Sequence, residues 1–308
     1  MLNRIRVNKK GIYKYRWLYV MMIPSLIYMI INNYVPMAGL VMAFKKINFS
    51  VGIWKSPWAG FDNFRYLFAT SDAWIITRNT ISYNLAFIVL GNTLAVLTAM
   101  ALAEVKSKKG RAFFQGSILI PYIISYVVVS YLVYAFLSTN GFFNKTLLPL
   151  LGLEPTNWYL ETIYWPFILV IVFLWKGIGY SSVIYLSSIL GIDGSLYEAA
   201  ALDGANAFQR AKLITIPLLK PTIITLVMLQ IGRIFYSDFG LFYQVPQNSG
   251  QLLKATNVID TYVYRGLLQL GDVSMSAAAG FYQAIVGFVI VLGANLLVKK
   301  FSPDDALF

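Results

Sequence analysis

Apolar runs long enough to cross a bilayer recur along this chain, and no other feature restricts its fold so tightly. A helix needs about 20 predominantly apolar residues to cross roughly 30 Å of hydrocarbon. Six runs qualify: Trp17 to Phe44, Ser82 to Glu104, Ala112 to Leu137, Tyr164 to Leu190, Ile214 to Leu241 and Ser274 to Val298. Backbone groups in lipid must be satisfied within the segment, and the runs lack the alternation of an outer-membrane barrel, so each reads as a helix. The expected fold class is therefore all-α integral membrane with six transmembrane helices. Only 12% of the residues are charged and 58% are hydrophobic, against about 25% charged in an ordinary soluble domain.

The charges that remain orient the chain. With the amino terminus inside, fifteen Lys and Arg residues fall on the inner side, among them Arg4, Arg6, Lys9, Lys10, Lys14 and Arg16 ahead of the first run. Eight fall on the outer side, spread over longer loops. Both termini are expected in the cytoplasm, with residues 1–16 a basic arm and 17–308 a multi-pass domain of the bacterial inner membrane. The arm resembles a signal-peptide start, but no small-x-small cleavage site follows, so an uncleaved helix fits better. The net charge of +12 belongs to membrane anchoring, and nucleic acid is not an expected partner.

Two outer loops stand out. Residues 45–80 carry Trp54, Trp58, Trp74 and the run Gly60-Phe61-Asp62-Asn63-Phe64, and residues 242–273 are long and polar. Interfacial aromatics explain the first in the simplest way. Either loop could also meet an extracytoplasmic partner.

The most informative stretch is GIDGSLYEAAALDGANAFQRAKLITIPLLKP, from Gly191 to Pro221. Ser195 and Glu198 have capping-box spacing, which predicts a short helix starting at Ser195. Asp203-Gly204 breaks it, and Asn206 with Gln209 caps a second helix that leads into the fifth span. Two short helices, at about 195–212, are thus expected on the cytoplasmic face. Glu198, Ala199, Ala200, Asp203, Gly204, Ala205, Ile214, Thr215, Ile216 and Pro217 fall in the register of the EAA motif, and the stretch resembles that of ABC importer permeases of the MetI-like type. The wider chain resembles the carbohydrate-uptake branch, in particular the LplB/YteP-like group associated with oligosaccharides and polysaccharide fragments. The features that carry this are Gly60 to Phe64, Trp175-Lys176-Gly177-Ile178-Gly179, Asn257 to Arg265, Ala294-Asn295 and the closing Ala306-Leu307-Phe308.

The resemblance implies a type I importer permease. Its partners would be a second homologous permease (a heterodimer), a cytoplasmic ATPase dimer and an extracytoplasmic solute-binding protein that delivers oligosaccharide. Glu198, Ala199, Ala200, Asp203, Gly204 and Ala205 would couple to the ATPase, with small alanines permitting close approach and Gly204 permitting the turn. Between Gly232 and Gln247 the chain departs from the group: Arg233-Ile234-Phe235-Tyr236-Ser237-Asp238-Phe239 stands where many members carry a glycine- and glutamate-containing segment. Substrate identity therefore does not follow from the resemblance.

Polar groups inside the apolar runs are the other candidates. An unpaired Lys176 near mid-depth would cost at least about 2.5 kcal/mol, so it should face the bundle or a water-filled path. Lys176, Gln230, Arg233, Tyr236, Asp238 and Gln283 can line a translocation path. They can equally serve as helix-to-helix glue. The chain has no G-x-x-x-x-G-K-[ST] loop, no H-E-x-x-H and no G-x-S-x-G elbow, so ATP and magnesium are expected on the partner ATPase and no cofactor, metal or catalytic residue on this chain. With no Cys and no His, thiolate and imidazole chemistry is absent. A secondary transporter or channel would share the hydrophobicity but should show inverted repeats, and a membrane-embedded enzyme would need clustered acids or metal ligands.

Overall fold

The computed structural model describes residues 14–301; Arg4, Arg6, Lys9 and Lys10 of the basic arm and the closing Ala306-Leu307-Phe308 lie outside the described residues. In chain order the principal helices are α1 (Arg16–Phe44), α2 (Asp62–Ala69), α3 (Ser71–Ala103), α4 (Lys108–Ile123), α5 (Tyr126–Leu137), α6 (Thr162–Leu190), α7 (Gly194–Leu202), α8 (Ala207–Ile231), α9 (Ile259–Leu268) and α10 (Val273–Phe301), with shorter helical turns in the connections 143–150, 240–244 and 250–256. No strand occurs among the described residues. Helices α1, α3, α6, α8 and α10 are each long and apolar enough to cross a bilayer, and α4 with α5 passes the same test as a bent pair. By length and composition these are the six expected spans.

Helix α3 is the central post. Its buried positions Ala73, Ile76, Tyr83, Phe87, Ala95 and Ala99 recur at helical spacing and present one stripe to the bundle. That stripe packs along α6, where Trp165, Leu169 and Val172 join Tyr83 and Phe87 at one end and Tyr185, Leu186 and Ile189 join Ala95 and Ala99 at the other. Lipid tails are as apolar as leucine, so close packing and interhelical hydrogen bonds hold such helices together. Gly179 of α6 shows how close: a Cβ there would stand 2.1 Å from the Ile118 carbonyl oxygen of α4.

Three spans differ from expectation. Helix α3 begins at Ser71 rather than Ser82, because its first turns pack on the protein rather than on lipid. Asn79 Nδ2 donates to the carbonyls of Lys254 (3.2 Å) and Asn257 (2.9 Å), the Tyr83 hydroxyl donates to Ala255 O (2.8 Å), and Thr80 Oγ1 accepts from Ile259 N (3.1 Å). The third span is broken: Ile124 and Ser125 are extended, Ser125 caps α5, and α4 and α5 meet at 93°. The fifth starts earlier, at Ala207, and its helix ends at Ile231 rather than Leu241. Gly232 and the polar Arg233 and Asp238 interrupt the helix there, and the chain crosses 232–235 as turns and 236–238 without regular structure.

Candidate functional site

Two places gather the residues singled out in the sequence. The first is the knob formed by α7 and the start of α8. Helix α7 begins one residue before the expected Ser195, and its cap is Asp193, whose carboxylate accepts from Ser195 N at 2.9 Å. The predicted box of Ser195 and Glu198 does not form; Asp193 sits at the N-cap and takes the amide instead. This hydrogen bond holds the Asp193 carboxyl below the usual carboxylate range. Asn206 and Gln209 do form a reciprocal box, with bonds of 2.8 and 2.9 Å.

Helix α7 closes in a Schellman motif. Gly204 has φ +79°, Ala205 N donates to Ala200 O at 2.8 Å and Gly204 N to Ala201 O at 3.1 Å, the paired 6→1 and 5→2 bonds that require a left-handed residue. None of the residues of α7 is buried, and apolar Leu202 and Phe208 on this knob are 91% and 75% exposed. Glu198, Ala199, Asp203 and Gly204 are exposed, and Ala200 and Ala205 are half-buried. Tyr197 and Thr215 share a hydrogen bond of 2.9 Å, and Arg210 lies 3.9 Å from Glu104 at the end of α3. The knob is therefore tied at its base and bare at its tip. Leu202 and Phe208 were not among the residues expected to couple, although two large apolar residues flanking a polar turn are the signal that could have found them.

The second place is a cavity of about 490 Å³ between α3, α6 and α8. Gln230, Arg233, Tyr236 and Asp238 line it; Lys176 and Gln283 are not among its lining residues. Asn84, Asn92 and Tyr180 also line it, and none of the three was among the expected path residues. Asn92 is 7% exposed; it donates to Gln230 Oε1 and accepts from the Tyr185 hydroxyl, each at 2.6 Å. The Arg233 guanidinium has no hydrogen-bond or ion-pair partner among the described residues.

Lys176 sits beside this cavity. Its ammonium donates to Pro121 O (3.3 Å), Tyr122 O (2.6 Å) and Ile124 O (2.6 Å), and lies 5.5 and 5.0 Å from the ring centres of Tyr122 and Tyr126. Where α4 unwinds, the Tyr122 and Ile124 carbonyls lose their helical donors and the ammonium replaces them, while Pro121 O also accepts from Ile124 N at 3.3 Å. Asp238 interacts electrostatically with both Tyr126 and Lys176, and its Oδ1 accepts from Leu241 N at 3.2 Å. Gln283 is 6% exposed and donates to Phe235 O at 2.6 Å and to both oxygens of Asp260 at 3.3 Å. Burial pushes the Asp260 carboxyl up, against the lowering effect of hydrogen bonds from Ser237 and Gln283.

A bundle of spans with a bare helical knob at one end and a polar cavity within fits a transport subunit. The family of binding-protein-dependent transport system inner membrane components matches residues 91–303. The chain belongs to this family. It is an ABC permease subunit of the inner membrane and not an enzyme. Among its relatives, protein LplB of Bacillus subtilis is 31% identical over 94% of this chain and 90% of that one. The polygalacturonan/rhamnogalacturonan transport system permease protein YteP of the same organism is 33% identical over 94% and 89%. A chain from the crystal structure of a bacterial ABC transporter that imports the acidic polysaccharide alginate superposes with TM-score 0.86 at 33% identity, covering 95% of this chain and 98% of that one. A chain from the alginate transporter in complex with its periplasmic protein, itself bound to an alginate pentasaccharide, superposes equally well at 32% identity. The type I permease fold, expected with the EAA register, and the LplB/YteP-like branch, expected from the wider chain, are thus both found.

Proposed function

We propose that this chain forms half of the transmembrane pathway of an importer for oligosaccharides or polysaccharide fragments, paired with a second permease, with the α7 knob seated on a cytoplasmic ATPase dimer that carries ATP and magnesium. The observation that carries the coupling role is the tip of the knob: a capped, Schellman-closed helix with no buried residue and with Leu202 and Phe208 exposed. An apolar surface held out on a rigid helix fits a protein partner. In this reading the knob faces the cytoplasm and the 242–273 segment faces the solute-binding protein outside. Closure of the ATPase moves α7, and the base contacts at Thr215 and Glu104 pass the motion to α8 and α3.

Acidic saccharides are the substrate class that fits best. The names of two relatives refer to polygalacturonan/rhamnogalacturonan and to alginate, and the unpartnered Arg233 at the cavity supplies a planar donor pair for a carboxylate. Asp238 does not cancel it, because that carboxylate is engaged with Leu241 N and lies near Lys176.

The deciding experiment is ATP hydrolysis by the reconstituted complex with its binding protein and a panel of neutral and acidic oligosaccharides, for wild type and Gly204→Asp. Hydrolysis stimulated by acidic saccharides, and lost in Gly204→Asp while the complex stays assembled, is the expected result. Transport without an ATPase partner, or full coupling in Gly204→Asp, would overturn the coupling reading. Equal stimulation by neutral and acidic saccharides would overturn the substrate class.

A further inference from the structure

The segment 232–239 lines the cavity although it lacks the helix that would hold its backbone. Its shape must therefore come from contacts made by other elements. Phe235 is 1% exposed and packs with Ile76 and Ile259, and its carbonyl accepts from Gln283 of α10 at 2.6 Å. Ser237 N donates to Asp260 Oδ2 at 2.7 Å. The Tyr236 carbonyl accepts from Asn84 of α3 at 3.3 Å. Asp260 and Gln283 bond each other as well, at 3.3 Å to both carboxylate oxygens. Anchored in this way from behind, the segment presents Arg233, Tyr236 and Asp238 to the cavity.

Asp260 differs from the other anchors in where it stands. It lies in the first turn of α9; that turn is fastened to α3 by the Thr80 to Ile259 bond, and the chain just before it by the Lys254 and Asn257 carbonyls that Asn79 holds. One carboxylate thus joins the 242–273 segment, α10 and the unwound cavity segment. A carboxylate suits this position because it is acceptor-only and takes donors on both oxygens, which neither an amide nor a hydroxyl does as strongly.

We infer that Asp260, with Gln283, is a positioning residue: it fixes the register of residues 233–238 and so sets how saccharide is held in the cavity, while linking that segment to the face where the binding protein docks. The saccharide part of this inference rests on the importer reading above. The placement part does not, so two readouts are needed.

The chain has no cysteine, so Tyr236→Cys gives a single reporter on the cavity segment. In that background Asp260→Ala is expected to change the maleimide-labelling rate about ten-fold, the size that loss of a hydrogen bond to a charged group implies, and Asp260→Asn, which keeps an acceptor for Ser237 N but not one for Gln283, to fall between Asp260→Ala and the parent. In uptake assays with an acidic oligosaccharide, Asp260→Ala is expected to raise KM about ten-fold with a smaller change in maximal rate, and Asp260→Asn to recover part of it. Unchanged labelling in Asp260→Ala, or a fall in maximal rate at constant KM, would overturn the inference. If Asp260→Ala does not assemble, Gln283→Ala replaces it in both assays: altered labelling with a raised KM supports the inference, and unchanged labelling overturns it. If labelling responds but no saccharide is transported by the unmutated complex, the positioning role stands and the importer substrate reading fails.

Discussion

The Lys176 ammonium and the three carbonyls of Pro121, Tyr122 and Ile124 explain each other. A helix can break within the membrane only where its freed backbone groups find new partners, and a lysine can sit at that depth only where acceptors surround it. Lys176→Met should therefore lower the stability of the purified complex by about 1.5–3 kcal/mol, the range for hydrogen bonds to a charged group, read as a fall in its unfolding temperature in detergent. Stability equal to wild type would mean that water satisfies those carbonyls. The lysine itself is plain in the sequence as a charge within an apolar run. Its acceptors are not, because they are main-chain atoms more than fifty residues earlier, and carbonyls leave no mark in composition. Asn92 shows the same limit. A double-mutant cycle of Asn92→Leu with Tyr185→Phe should give a coupling of about 1 kcal/mol, in line with interhelical hydrogen bonds measured in membranes; zero coupling would mean the 2.6 Å contact is energetically empty.

At the scale of elements, hydropathy locates the spans because it reports what lipid will accept, and it is silent on direction. The run from Ala112 to Leu137 is continuous in hydropathy although the structure turns it by 93° at Ile124. Pro121 and Ser125 were the available signs, a proline inside the run and a cap for the next helix. The first turns of α3 escaped for the opposite reason: Arg78 and Asn79 are too polar for lipid, and they are held in the protein by the carbonyls of the 253–259 stretch. Packing also decides which glycines matter. Gly179→Val should cost about 1–3 kcal/mol or prevent assembly, since its Cβ would overlap the Ile118 carbonyl and well-packed helices resist insertion. Gly204→Ala meets no atom within 4 Å, so it should cost only the left-handed strain of about 1–2 kcal/mol and loosen coupling more than assembly. The ratio of saccharide transported to ATP hydrolysed measures that difference, and an unchanged ratio would detach the Schellman turn from coupling. Asp193, with its depressed pKa, should stabilise α7 above the ordinary aspartate range and release it as pH falls through the lowered value.

Across the whole molecule, α1 is the element that the rest of the chain leaves uncovered. From Arg16 to Met37 it has no buried residue; only its last turns, at Ala38–Phe44, pack on α10. Lipid could cover an apolar helix of this kind, but Asn32 and Asn33 lie within it. Asn32 returns its amide to Tyr28 O at 2.9 Å, whereas Asn33 is exposed and has no partner among the described residues. An amide without a partner in hydrocarbon is costly, and a second permease is the partner that the importer reading supplies. Because the chain has no cysteine, Met21→Cys or Tyr28→Cys, each on an exposed face of α1, can be oxidised against single cysteines placed on the other permease. Cross-links there, together with heterodimers weakened by about 1 kcal/mol in Asn33→Leu, are the expected outcome. Quenching of labels at both positions by lipid-borne quenchers, with no cross-link and no loss in Asn33→Leu, would place α1 in the bilayer and leave the pairing of the two permeases to the faces of α3, α8 and α10.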